Sequence, residues 1–361
     1  MQFSPLHSLI EGSWFKLICG ASYQHLPAIR NLALAYSLAG ADCIDVAADP
    51  AVIAAALDGI KAAQELRAKP SFSPWLMVSV NDGEDPHFRK AWFEATQCPV
   101  DCPQPCVQVC PAAAIDLSLG GVIDALCYGC GRCVPICPQD LVVTKSYTSS
   151  LKEILPWIES MDVDAVEIHT QVGHYNDFRR VWQDLLPITD RLKLLAISCT
   201  DAPNAVDYLR SLYELISPLS CHLIWQTDGR SMSGDIGKGT THGAIAFAQK
   251  VLQGQLPGHI QLAGGTNHYT VDKLKQSQML RQSNSSLADT VSGVAYGSYA
   301  RAVLSPILNR LERSETALQP NQFNLTTSKP MNQLSKLEYD RQLLQQAVTT
   351  ARQLVDQLKT S

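Results

Sequence analysis

The run Ala165-Val166-Glu167-Ile168-His169-Thr170 decides how this chain is read. Its β-branched residues favour a strand, and period-two alternation puts Glu167, His169 and the following Gln171 on one face, with Val166 and Ile168 on the other. The apolar face meets helices, so the polar face turns inward, as in the wall of a barrel. Working outward, short β-rich runs alternate with helical patterns on both sides. Strands are expected at Phe15 to Ala21, Asp42 to Ala48 and Trp75 to Val80, with helices at Pro27 to Ala39 and Pro50 to Arg67 between them. A helix from Ser150 to Ser160 leads into the quoted strand, and another follows around Phe178 to Leu186. Strands at Leu192 to Cys199, His222 to Thr227, His259 to Ala263 and Val291 to Tyr296 come next. Their helices are Ala202 to Leu215, Thr241 to Leu252, Val271 to Met279 and Tyr299 to Leu311. Eight strands, each followed by a helix, predict an α/β fold of the (β/α)8 barrel type. An open doubly wound sheet shares the alternation, and the count of eight favours the barrel.

The pattern divides the chain into a first part of the barrel (residues 1–81), an insertion (82–149), the remainder of the barrel (150–312), a linker (313–332) and a C-terminal amphipathic helix (333–361). The insertion follows the third strand at its carboxyl end, the face on which barrel enzymes carry their sites. It holds eight of the twelve cysteines. Cys127-x2-Cys130-x2-Cys133-x3-Cys137-Pro138 is the bacterial ferredoxin run, whose fourth cysteine serves the other cluster. By that rule Cys127, Cys130, Cys133 and Cys110 hold one [4Fe-4S] cluster, and Cys98, Cys102, Cys106 and Cys137 hold a second. Iron prefers soft thiolates, and the glycines at 129 and 131 free the backbone to wrap a cluster. The first motif departs from the pattern, with three residues rather than two after Cys98 and after Cys102, so its cluster is a [3Fe-4S] species, a labile cubane or a normal cubane in a wider loop. Structural zinc and disulfides are the alternatives, and the cysteine-proline spacing favours clusters. Cys19, Cys43, Cys199 and Cys221 lie in apolar runs and are expected in the core.

Period-two alternation also places Lys16, Asp45 and Gln226 on the inner faces of their strands. With Glu167 and His169 these are candidates for acid, base or substrate-positioning roles, and a paired polar layer inside the barrel is the structural alternative. Glycine-rich turns follow the last three strands, at Gly229 to Gly239, Gly264-Gly265-Thr266-Asn267 and Gly297-Ser298. Such turns hold the phosphate of a flavin mononucleotide or similar ligand, or simply join strand to helix. The segment Gly234 to Thr240 is not a P-loop, because Gly239 stands where serine or threonine should follow lysine.

Hydrophobic residues at 46%, charged residues at 17% and a net charge of -5 describe a globular chain and argue against a nucleic-acid partner. The absence of a long apolar run argues against a membrane span, and thiol-rich chemistry fits the cytoplasm. In the tail, Leu334, Arg341, Val348 and Val355 recur every seven residues, as do Leu337, Leu344, Ala351 and Leu358. That stripe suits association with itself or with a partner, or docking on the chain's own barrel.

The cysteine segment bracketed by βα units, together with Gly237-Lys238-Gly239-Thr240-Thr241-His242 and Ala263-Gly264-Gly265-Thr266-Asn267, resembles the light-dependent period family, iron-sulfur proteins of cyanobacterial circadian input. The likeness covers nearly the full length. It implies a redox sensor that passes the photosynthetic redox state to clock components such as the input histidine kinase and the Kai oscillator, and it transfers no catalytic residue. The rival function is a ferredoxin-fed barrel oxidoreductase acting on a flavin or small organic substrate, with Glu167 or His169 in proton transfer.

Overall fold

The structure is a computed structural model that describes residues 4–19, 25–67, 72–83, 89–110, 114–123, 127, 133–146, 151–229, 239–281, 289–318 and 336–359. In chain order the barrel begins with α1 (Pro5–Glu11), β1 (Trp14–Ile18), α2 (Leu26–Ala39), β2 (Cys43–Ala47), α3 (Pro50–Glu65) and β3 (Trp75–Asn81). The insertion contains β4 (Arg89–Trp92), α4 (Pro105–Val109), β5 (Ile115–Asp116), β6 (Gly121–Val122) and β7 (Val143–Ser146). The barrel resumes with α5 (Leu151–Ser160), β8 (Ala165–Thr170), α6 (Tyr175–Leu185), β9 (Leu194–Thr200), α7 (Ala205–Ile216) and β10 (His222–Asp228). It ends with α8 (Thr241–Gln253), β11 (His259–Ala263), α9 (Thr270–Gln276), β12 (Gly293–Tyr296) and α10 (Ser298–Leu318), and α11 (Arg341–Lys359) follows.

Eight parallel strands close in the order β1-β12-β11-β10-β9-β8-β3-β2. The barrel expectation is therefore met, and the open sheet is excluded. Closure falls between β12 and β1, where Trp14 pairs with Gly293. A Cβ on Gly293 would lie 2.0 Å from the Trp14 carbonyl oxygen, so only glycine lets the first and last strands meet. Outward residues such as Phe15, Ile44, Val78, Val166 and Ile197 are buried in the main core with the apolar faces of the helices. Inside, at the amino ends of the strands, Trp14, Cys43, Trp75, Met77, Ala165 and Ile224 pack with Leu9 of α1, which plugs that end. Helix α3 starts where Asp49 accepts bonds from the backbone N–H groups of Ala51 and Val52, with Pro50 behind the cap.

The strand at 165–170 and that at 259–263 fall where the alternation predicts. Several boundaries differ. The last strand begins at Gly293, while Val291 makes only an isolated bridge to Leu280. Helix α10 runs on to Leu318, through positions expected to open the linker, because Glu312 to Leu318 contains good helix formers and no breaker. Most of the expected linker, and Leu334, lie outside the described residues. Helix α11 starts at Arg341 after a 3-10 turn at Leu337–Tyr339. Its buried stripe is Leu343, Ala347, Ala351, Leu354, Val355 and Leu358, which only partly coincides with the heptad stripe, and Arg341 is exposed. A straight helix docked on one surface follows a period nearer 3.6 than 3.5. It lies on its own barrel, against α2 and α10. Four bonds fasten the helix and the turn before it: Arg30 grips Glu338 with two guanidinium nitrogens at 2.8 and 2.5 Å, the Leu337 N–H donates to Asn31 Oδ1, and Lys359 reaches Asp42 at 2.5 Å.

The insertion leaves and rejoins the barrel through an antiparallel ribbon in which Arg89 pairs with Ser146 and Trp92 with Val143. Beyond it a second small sheet pairs β5 with β6. Ala91, Phe93, Cys106, Ala114, Ile115, Cys127, Cys133 and Val142 form a core separate from that of the barrel.

Candidate functional site

The described cysteines of the insertion sit on loops, turns and one short helix. A 3-10 turn at Ala95–Gln97 delivers Cys98, α4 carries Cys106 and is capped by Cys110, and Cys133 and Cys137 bracket a further turn. Cys106, Cys127 and Cys133 are buried, while Cys98, Cys102, Cys110 and Cys137 are half-buried. Cys130 lies outside the described residues. Desolvation, then a hydrogen bond with Cys102 and the charges of Cys102, Cys106 and Cys137, push the Cys98 thiol up. Cys106 is pushed up by burial, with Cys137 and Cys102 adding to it. Cys137 moves the other way: desolvation opposes it, but backbone N–H groups of Gln139, Val142 and Leu141 hold its thiol below the usual range. The Ala114 N–H donates to Cys110 Sγ at 3.2 Å. Among the described residues no group of three or more His, Cys, Asp or Glu side chains is arranged to hold a metal ion.

The barrel mouth gathers every inner-face candidate named above except Gln171. Lys16, fully buried, bonds Glu167 and lies 3.1 Å from Asp45. Burial alone would lower the Lys16 ammonium, but Asp45 and Glu167 outweigh it and hold it above its ordinary range. Burial likewise works against Glu167, and Lys16 with His169 pulls its carboxyl down to about 2. Asp45 is pushed up by burial, which the attraction of Lys16 does not cancel beside a second carboxylate. Gln226 Nε2 donates to Glu167 Oε1 at 2.7 Å, and His169 Nε2 stands 3.0 Å from the same oxygen. His169 is 23% exposed against 0% for Glu167, so it is the member of the cluster that reaches the opening. Gln171 lies past the strand end, is exposed and bonds His174, because the chain turns away there.

Strand alternation also turns Ser79, Gln261 and Ser198 inward. Ser79 donates to Asp45 Oδ1 at 2.6 Å, Gln261 Nε2 donates to Gln226 Oε1 at 2.6 Å, and Ser198 donates to Asp228. Each follows from period two along its own strand. Cys19, Cys43 and Cys199 are buried as expected, but Cys221 is only half-buried, since it precedes β10 at the barrel's edge. The glycines of the late turns serve close loop contacts: a Cβ on Gly229 would lie 2.2 Å from the Ala244 nitrogen, and one on Gly265 would lie 2.6 Å from the Thr240 oxygen. Residues 230–238 of the first of these turns lie outside the described residues.

The root of the insertion is bonded to the mouth. Asp82 follows β3, its N–H donates to the His169 carbonyl at 3.1 Å, and its carboxylate takes Thr170 Oγ1 and His174 Nδ1.

Fold and cysteines together define a parallel α/β barrel that carries a cysteine-rich module on the carboxyl side of its third strand. Residues 98–148 match the family model described as the LdpA Fe-S cluster-binding domain, and residues 157–357 match the Light dependent period A C-terminal domain. A curated relative from Synechococcus elongatus, "Light dependent period A", is 49% identical over 98% of this chain and 94% of its own. The chain belongs to the light dependent period A family. A crystal structure of (S)-3-O-geranylgeranylglyceryl phosphate synthase from Thermoplasma acidophilum matches 99% of this chain and 97% of that one at 10% identity, with a TM-score of 0.34, a likeness that carries no argument. No helix among the described residues is long and apolar enough to cross a membrane.

Proposed function

We propose that this chain is an iron-sulfur redox sensor that passes the cellular, photosynthetic redox state to circadian clock input components, the input histidine kinase and the Kai oscillator being the partners implied by family resemblance. The iron-sulfur assignment is supported by the family's cluster-binding domain at 98–148, and the clock connection by the relative's name, "Light dependent period A". The carrying observation is that Cys98, Cys102, Cys106 and Cys137, the proposed ligands of one cluster, fall with the other insertion cysteines inside the segment matching the family's cluster-binding domain, where the Ala114 N–H already donates to Cys110 Sγ at 3.2 Å. The residues fit a cluster better than a single ion, since a cluster takes its thiolates on separate irons while a zinc site draws them to one point. Cys110, Cys127, Cys130 and Cys133 are the proposed ligands of the second cluster. A bound cluster supplies one-electron chemistry at a potential set by burial and by N–H bonds to sulfur. The chain's own part is to shield those sulfurs and to connect the module with the barrel, through the β4–β7 ribbon and the bonds of Asp82 to His169, Thr170 and His174.

Anaerobically purified protein, analysed for iron and sulfide and by electron paramagnetic resonance before and after dithionite, tests the reading. Two clusters are expected, with a [3Fe-4S] signal if the wider first motif holds only three irons. Cys106→Ser and Cys133→Ser should each lower iron and sulfide content and blunt the clock's period response to redox state in cells. Zinc without sulfide, or an intact response after cluster loss, overturns it.

A further inference from the structure

Two histidines meet at the amino end of the barrel, opposite the face that carries the insertion. His222 opens β10 and His259 opens β11, and the register that pairs Ile224 with His259 sets His222 diagonally beside it on the neighbouring strand. Both share the inward phase of their strands, in step with Ile224 and Gln261, so alternation brings them to one side of the sheet. Their ring centres are 6.1 Å apart, with the planes tilted by 53°. A metal ion about 2 Å from one nitrogen of each of two imidazoles sets the ring centres roughly 5–6 Å apart. The observed pair stands at the wide edge of that range.

The surroundings favour a ligating pair over two unrelated surface histidines. His259 Nδ1 lies 3.0 Å from Ser292 Oγ. Ser292 is buried and held by backbone bonds on both sides, its N–H donating to the Ile260 carbonyl and its carbonyl accepting from the Trp14 N–H. A hydroxyl fixed in this way accepts the Nδ1 proton and leaves the Nε2 lone pair for a metal, which is how ligating histidines are commonly oriented. The His222 ring is exposed and makes no hydrogen bond among the described residues, so it can turn toward a shared ion without breaking one. Imidazole nitrogen suits zinc, copper or nickel and not the hard cations magnesium and calcium. We propose that His222 and His259 form a two-histidine site for a divalent transition-metal ion of the zinc class, with water filling the remaining positions and Ser292 holding the His259 tautomer. Bound there, the ion ties β10 to β11 at the plugged end of the barrel. The site is separate from the iron-sulfur module and does not depend on the redox-sensor reading.

Zinc and magnesium, added separately to anaerobically purified full chain with its clusters in place and its histidines labelled at nitrogen, provide the test. The imidazole signals of His222 and His259, assigned with His222→Gln and His259→Gln, should move together and saturably with zinc and stay still with magnesium. In His222→Gln the saturable response of His259 should disappear. Ser292→Ala keeps both ligands and should weaken zinc binding about tenfold. The exposed His222 can be replaced without disturbing the core, so that variant decides the matter should Ser292→Ala unfold. Movement of one imidazole alone, an unchanged His259 response in His222→Gln, or zinc taken up while both signals stay still overturns the proposal.

Discussion

A lysine without solvent exposure persists only while opposite charges stay beside it. Lys16 keeps two, and the arrangement is costly to break from one side: Lys16→Met leaves Asp45 and Glu167 facing each other in the barrel, and urea unfolding at neutral pH should show a loss of about 3–5 kcal/mol. Adding Asp45→Asn and Glu167→Gln to that variant should recover part of the loss. At the opposite end of the barrel, burial and the neighbouring His222 lower His259 from 6.5 to about 4. The folded chain thus binds this proton less readily than the unfolded one, so stability is fully present above 6.5 and declines as pH falls toward 4. Allowing for the partial exposure of this histidine, the decline is on the order of 2 kcal/mol. Melting curves across that window should be flatter for His259→Gln than for the parent chain.

Helix pairs in this barrel depend on how closely their backbones approach. Gly59 of α3 lies against α2, where an added Cβ would stand 2.2 Å from the Arg30 carbonyl oxygen and 3.0 Å from the Leu34 nitrogen. Backbone cannot move aside as a side chain can, so Gly59→Ala should lower stability by about 1–3 kcal/mol, read from denaturant midpoints. Helix α11 depends on α2 for a different reason. Arg30 is 1% exposed and its guanidinium is shared between Asp58 at 2.6 Å and Glu338. Glu338→Ala leaves half of that buried fork unanswered, with an expected cost of about 1.5–3 kcal/mol. Limited proteolysis should then cut the C-terminal segment faster than in the parent chain.

Across the whole molecule, the insertion and the barrel have separate cores joined by a ribbon whose two ends are register neighbours. Facing residues of an antiparallel pair lie about 5 Å apart. Replacing residues 89–146 with a short Gly-Ser linker should therefore leave a barrel with native far-ultraviolet circular dichroism and cooperative unfolding, free of iron. Loss of the barrel on excision would show that the module is part of its core. Much of this architecture was legible in the residues. Period-two alternation in runs such as Ala165 to Thr170 located the strands and their inner faces, because a strand must alternate wherever one side meets helices. The cysteine spacing marked the module, because cluster loops are short and local. Tertiary structure alone decided the rest. The β4–β7 pairing spans the entire insertion, and nothing in Arg89 to Trp92 announces its distant partner. The face that α11 buries was set by the surface it docks on and not by its own heptads. The meeting of His222 with His259 became visible only when neighbouring strands stood in register, since cross-strand pairs belong to the assembled barrel and not to any one of its segments.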